Sequence, residues 1–150
     1  MHTKPPSSDP VIVLKKALTC QVLEDIRNFW FEHIIDNAQI TVPSRDLATK
    51  WFSQNDDYDK TCRAKFGSTL DLIRSVNPTT SRLVEAVKLE SPLNWMSMIL
   101  LLDQIPRNCY RQDEARIAYQ FFDPLALNFA LQAIDAGVPD TPEIRFRHGY

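Results

Sequence analysis

Glycine, histidine and cysteine each occur only three times in this 150-residue chain, and each scarcity removes a class of protein. So few glycines leave no dinucleotide-binding fingerprint, no phosphate-binding loop and no nucleophile elbow. His2, His33 and His148 lie far apart, and Cys20, Cys62 and Cys109 form no CxxC pair, so neither a structural zinc site nor a cofactor is expected. An odd cysteine count without a signal peptide points to a reducing compartment, and the chain is expected in the cytoplasm. The longest apolar run, Met98 to Leu102, is far too short to span a bilayer. Seventeen basic and nineteen acidic residues give a net charge of -2, which offers no global attraction to nucleic acid or to an anionic membrane. The one local basic group, Arg145, Arg147 and His148, reads as solvated chain end.

Strands are scarce too. No alternating series rich in Val, Ile and Thr appears, whereas apolar residues recur at spacings of three and four throughout. The 44% apolar and 24% charged fractions suit one globular domain with a real core. Residues 1–14, polar and proline-rich at the start, read as a flexible tail. In that tail Val11 to Leu14 is either a strand-like stub or the lead-in to a helix. Residues 15–150 form the domain, an all-α array of about seven helices packed as antiparallel hairpins.

The first helix is expected from about Lys16 to Ile35, and a short second one after Ser44 with Leu47, Ala48, Trp51 and Phe52 inward. A third ends near Val76, its stripe of Tyr58, Cys62, Phe66, Leu70 and Ile73 spaced 4, 4, 4 and 3. Gly67 lies inside it at a cost of about 1 kcal/mol against alanine, which close packing against a neighbour would explain. A fourth segment covers Ser81 to Leu89. Ser91 and Pro92 make a strong start for a fifth helix, apolar on most sides and so central, that Pro106 ends. A sixth spans Asp113 to Phe122. Asp123 and Pro124 then read as cap and first position of a seventh, with Leu125, Leu127, Ala130, Leu131 and Ile134 apolar and Gly137 closing it. Trp30, Trp51 and Trp95 read as core.

The densest polar cluster inside apolar sequence is Asp103, Gln104, Arg107 and Asn108. Asp103 is expected to be partly enclosed, and an enclosed carboxylate needs a cation or donors. Two readings stay open. Arg107 and Asn108 satisfy the last carbonyls of the helix with Asp103 holding Arg107, or the four groups form a ligand network. A second set is Asp59, Arg63 and Lys65. Asp59 and Arg63 have the i,i+4 spacing of a helix-surface ion pair, or Arg63 points into a cleft.

Four stretches together resemble one uncharacterised family. They are Asn28 to Phe31 (NFWF), Lys50 to Gly67 (KWFSQNDDYDKTCRAKFG), Ser91 to Arg111 (SPLNWMSMILLLDQIPRNCYR) and Ala126 to Gly137 (ALNFALQAIDAG). The chain is similar to the DUF924 family of bacterial and fungal proteins, in which LLDQxPRN is the most specific element. The resemblance covers roughly Leu23 to Tyr150 and implies a tetratricopeptide-like superhelix. It also implies that Asp59, Arg63, Asp103, Gln104, Arg107 and Asn108 occupy the family's characteristic polar positions. Cys62 stands where an aliphatic residue is usual, and Lys65 where arginine is usual, which removes a bidentate fork. Members typically continue into a His-Ser-Glu segment that this sequence, ending at Tyr150, lacks, so a C-terminally truncated domain is expected.

No nucleophile stands beside a base. The expected function is therefore binding of a peptide, a protein or a small ligand in a groove between helices. The alternatives are an enzyme acting on a small anionic metabolite, with Arg63 and Arg107 holding the anion and Asp103 as acid or base, and a truncated product without activity.

Overall fold

The computed structural model describes residues 9–31, 56–87, 89 and 91–138, and all regular structure among them is helical. The expected second helix, the end of the first, Trp51 and the basic chain end lie outside the described residues.

Helix α1 (Pro10–Ala17) begins where the Asp9 carboxylate accepts the Val11 N–H at 2.9 Å and Pro10 occupies the first turn. It lies partly inside the stretch read as a tail, and Leu14 anchors it with no exposed surface. The expected single helix from Lys16 is in fact two. The chain leaves helical geometry at Leu18, and α2 (Cys20–Phe31) restarts as the Thr19 hydroxyl accepts the Val22 N–H at 3.2 Å. Leu23, Ile26, Phe29 and Trp30 face inward from α2.

Helix α3 (Asp56–Val76) carries three acidic residues in its first turn, where they complement the positive end of the helix dipole. Its expected stripe of Tyr58, Cys62, Phe66, Leu70 and Ile73 is buried throughout. Asn77 ends it in the left-handed region at φ 51°, a conformation asparagine tolerates better than most side chains. Among the described residues, close packing does not account for Gly67: a Cβ there would meet only the Arg63 Cβ, at an ordinary 3.9 Å.

Helix α4 (Thr80–Ala86) is capped by Thr79, whose hydroxyl accepts the Arg82 N–H. Ser91 caps α5 (Pro92–Asp103) in the same way, as its spacing before Pro92 predicts. Helix α5 is the central element, with α2 on one side and the C-terminal helix on another. Its polar interruptions are satisfied. Arg27 of α2 donates to the Leu93 carbonyl, Asn94 Oδ1 and Ser97 Oγ at 3.0, 3.1 and 2.8 Å, and Ser97 donates to the Leu23 carbonyl at 2.7 Å. These bonds fix the α2–α5 register where apolar packing alone would leave it free to slide.

Pro106 does not end this run. Helix α5 stops at Asp103, Gln104 forms the joint, and Pro106 sits in the first turn of α6 (Ile105–Cys109), where its missing N–H is no loss. The last expected boundary also moves. A 3₁₀ turn (Gln112–Glu114), α7 (Ala115–Ile117), a π-turn (Ala118–Phe122) and α8 (Asp123–Asp135) follow without a break. Asp123 makes no cap, because its carboxylate is engaged by Arg107. The inward residues of α8 are Leu125, Ala126, Phe129 and Ala133, while Leu127, Leu131 and Ile134 are exposed. Gly137, at φ 74°, closes the helix as expected.

Candidate functional site

Helix α6 is the meeting point of two polar networks. It packs against α3, and its five residues put Arg107, Asn108 and Cys109 in adjacent positions.

The first network is buried. Asp59, 3% exposed, accepts from Arg111 Nε at 3.0 Å and Nη2 at 3.2 Å. Arg111 Nη2 also donates to Asn108 Oδ1 at 3.1 Å. The guanidinium fork thus joins α3 to the end of α6 across 52 residues of sequence. Asn108 Nδ2 meets no conventional acceptor. The nearby polarisable atom is the Cys62 sulfur, on which the Asn108 amide acts in the direction that favours the thiolate. That effect is outweighed. The hydrogen bond with Cys109, at 3.8 Å between sulfurs, together with burial and the charge of Asp59, pushes the Cys62 thiol well above the ordinary range.

The second network is half-exposed. Arg107 places Nη1 and Nη2 on the two oxygens of Asp123 at 2.8 and 3.1 Å and donates to the Asp103 carbonyl at 2.8 Å. Its nearest approach to the Asp103 carboxylate is 3.9 Å. The two Asp123 bonds raise the Arg107 pKa, opposed by partial burial. Gln104 donates to Asp103 at 2.6 Å, and the Arg107 guanidinium lies 5.8 Å from the centre of the Tyr119 ring.

The residues singled out in the sequence therefore fall into three groups. Asp59 and Asn108 come together through Arg111. Asp103, Gln104 and Arg107 come together with Asp123. Arg63 is exposed and stands apart, and Asp59 pairs with Arg111 rather than with Arg63 despite the favourable helix spacing. Sequence reasoning missed Arg111 and Asp123. Arg111 had one visible sign, its place four residues after Arg107 at the end of the stretch that contains the most specific element, whereas Asp123 was hidden by its resemblance to a cap.

A concave surface opens elsewhere, between α2 and α3. It encloses about 420 Å³ and is lined by Asp25, Asn28, Phe29, Lys65 and Phe66. Phe29 and Phe66 meet edge to face at 5.5 Å, and Phe29 stacks on Tyr58 at 4.9 Å. Positions 25, 28 and 29 are neighbours at i, i+3 and i+4 on α2, so the exposed Asp25 and Asn28 flank the buried Phe29 at the border of its inward face. Among the described residues, no three His, Cys, Asp or Glu side chains converge as metal ligands. Among the same residues, no helix is long and apolar enough to cross a membrane.

These features define an all-helical domain with a buried, ion-paired joint and an amphipathic inter-helix groove. Residues 26–148 match the family described as "Bacterial protein of unknown function (DUF924)", and the chain belongs to that family. No curated protein and no solved structure matches it.

Proposed function

We propose that the chain is a binding domain that takes a short peptide segment in the groove between α2 and α3. The observation that carries this reading is the lining of that groove, where the exposed Asp25, Asn28 and Lys65 surround the edges of Phe29 and Phe66, which are 5% and 3% exposed. Such a surface suits an extended segment that sets charged and polar groups against the rim and one apolar side chain against the ring edges. In this reading the helices stack in the tetratricopeptide-like manner that the family resemblance implies, and the groove is one channel of that stack. The polar networks of α6 support a binding role over an anion-converting one. The Arg107 and Arg111 forks are each engaged by an internal carboxylate, so a substrate anion would have to compete with Asp123 or Asp59 for them.

The test is selection from a random peptide library displayed on phage, followed by affinity measurements on synthetic copies of the selected sequences. The expected ligands combine an aromatic or large aliphatic residue with charged neighbours. They lose affinity at least about tenfold on Lys65→Glu or Asp25→Lys, about 1.4 kcal/mol, while the helical signal is unchanged. Failure to select any sequence, or selected peptides indifferent to both substitutions, refutes the reading.

A further inference from the structure

Cys62 and Cys109 lie 47 residues apart in sequence, yet their sulfurs are 3.8 Å apart where α3 packs against α6. A disulfide needs an S–S distance of about 2 Å, so a closing movement of about 1.8 Å separates the two thiols from a bond. Both are deeply buried, at 0% and 4% exposure, whereas Cys20 is on the surface. Burial of an unreactive dithiol would ordinarily be packing alone. Two further features argue for more. First, the sulfurs touch each other rather than aliphatic carbon alone, on two elements whose relative position the Asp59–Arg111 fork already holds. Second, Cys109 is the last residue of a five-residue helix whose N-cap, Gln104, makes no side-chain cap bond, so α6 is held by its packing on α3 rather than by helix stability of its own.

We propose that Cys62 and Cys109 are a thiol–disulfide site that reacts with small-molecule disulfides and locks α6 onto α3. Opening of α6 exposes Cys109 first. Its thiol gives up a proton, and the sulfur attacks one sulfur of a small disulfide such as glutathione disulfide. A mixed disulfide forms and one glutathione thiolate leaves, taking that proton. While α6 is open and Cys109 is capped, the hydrogen bond and the burial that raise the Cys62 thiol are absent, so it loses its proton and attacks the Cys109 sulfur as the helix returns. The second glutathione leaves with that proton. Two protein thiols are thus oxidised to one disulfide, and one small disulfide is reduced to two thiols. The buried resting state keeps the reaction slow until α6 opens, so opening sets the rate. The site is separate from the groove and does not depend on its occupant.

The experiment uses the full chain carrying Cys20→Ala, which leaves only the two buried thiols, incubated with glutathione disulfide in native buffer. The expected product has lost two hydrogens and yields a cross-linked Cys62–Cys109 peptide that a reductant separates. Low urea accelerates its formation, and its thermal midpoint rises by on the order of 10 °C. Adding Cys62→Ala leaves a persistent glutathione adduct on Cys109, and adding Cys109→Ala leaves Cys62 unreacted. A stable glutathione adduct without cross-link in the chain that keeps both cysteines, two free thiols after prolonged incubation, or a cross-linked form with an unchanged midpoint overturns the proposal. The cross-link map is read on the chain that keeps both cysteines, so it stands even if either further variant fails to fold.

Discussion

Replacing Arg111 by methionine is expected to be among the most damaging single changes outside the apolar core. The substitution keeps an unbranched, flexible stem and removes the fork that holds Asp59 at 3.0 and 3.2 Å. The Asp59 side chain is only 4% exposed and is left as an uncompensated buried carboxylate, while Asn108 loses the donor to its Oδ1. Breaking a buried ion pair from one side costs about 3–5 kcal/mol, and the 27% exposure of Arg111 admits enough water to place this case near 3. The reverse change, Asp59→Leu, strands a cation that can still turn to solvent, and about 1.5 kcal/mol is expected. The double variant packs methionine on leucine and is expected to lose about 2 kcal/mol, so the coupling is about 2.5 kcal/mol. Urea unfolding followed by the far-ultraviolet helical signal measures all four corners of this cycle. An Arg111→Met loss below about 1 kcal/mol, or a double variant equal to the sum of the singles, would show that the pair does not act as a buried joint.

Three further outcomes follow from the same reasoning. Gly67→Ala is expected to raise stability by about 1 kcal/mol, since among the described residues only the Arg63 Cβ, at 3.9 Å, approaches the place of the methyl group at this mid-helix position; a loss in urea unfolding would mean that the site is more crowded than that contact indicates. Arg107→Ala removes three hydrogen bonds, but its side chain and that of Asp123 are 37% and 31% exposed, so about 1 kcal/mol or less is expected; a loss of 3 kcal/mol in the same assay would contradict this solvent screening. Burial and the bond that its phenol donates to Asp71 at 2.8 Å raise the Tyr110 pKa. A raised acid stays protonated in the folded chain while the unfolded chain releases its proton from about pH 10, so stability falls as pH climbs above that point. Tyr110→Phe should flatten that alkaline limb by up to about 1.4 kcal/mol per pH unit, and an unchanged slope in pH-dependent unfolding would remove Tyr110 as its cause.

The fold was legible where one helix face and one cap carried the whole signal. The α3 stripe from Tyr58 to Ile73 is buried residue for residue, and Ser91–Pro92 starts α5 where the pair predicts. Legibility failed where a local signal had a tertiary competitor. Asp123–Pro124 has the composition of a helix start, but Arg107 takes the carboxylate, and the helix runs through. The π-turn just before it changes which residues face inward. Leu127, Leu131 and Ile134 have helical spacing and apolar side chains, yet the core takes Leu125, Phe129 and Ala133. Hydropathy at a period of 3.6 cannot register an inserted π-turn, because the insertion leaves the composition unchanged and alters only the phase.

The candidate sites divide along the same line. Asp103, Gln104, Arg107 and Asn108 were visible because polar residues interrupt the most apolar stretch of the chain. What each one binds was not visible, because the deciding partners are distant in sequence. Arg111 reaches Asp59 across 52 residues, Arg107 reaches Asp123 across 16, and Cys109 reaches Cys62 across 47. For both ion pairs a nearer partner was on offer. Arg63 stood one turn from Asp59, and Asp103 one turn from Arg107. For Asp59, burial decides between them. An exposed helix pair is worth a few tenths of a kcal/mol, whereas a carboxylate as enclosed as Asp59 is stable as an anion only beside a cation that is held in place. Arg63 is exposed, whereas Arg111, just beyond α6, is held by Asp59 and Asn108 together. The same ordering explains why the α2–α3 groove escaped a reading built on motifs. Asp25, Asn28 and Lys65 form no motif, and only the crossing of two helices over Phe29 and Phe66 gives them a common surface.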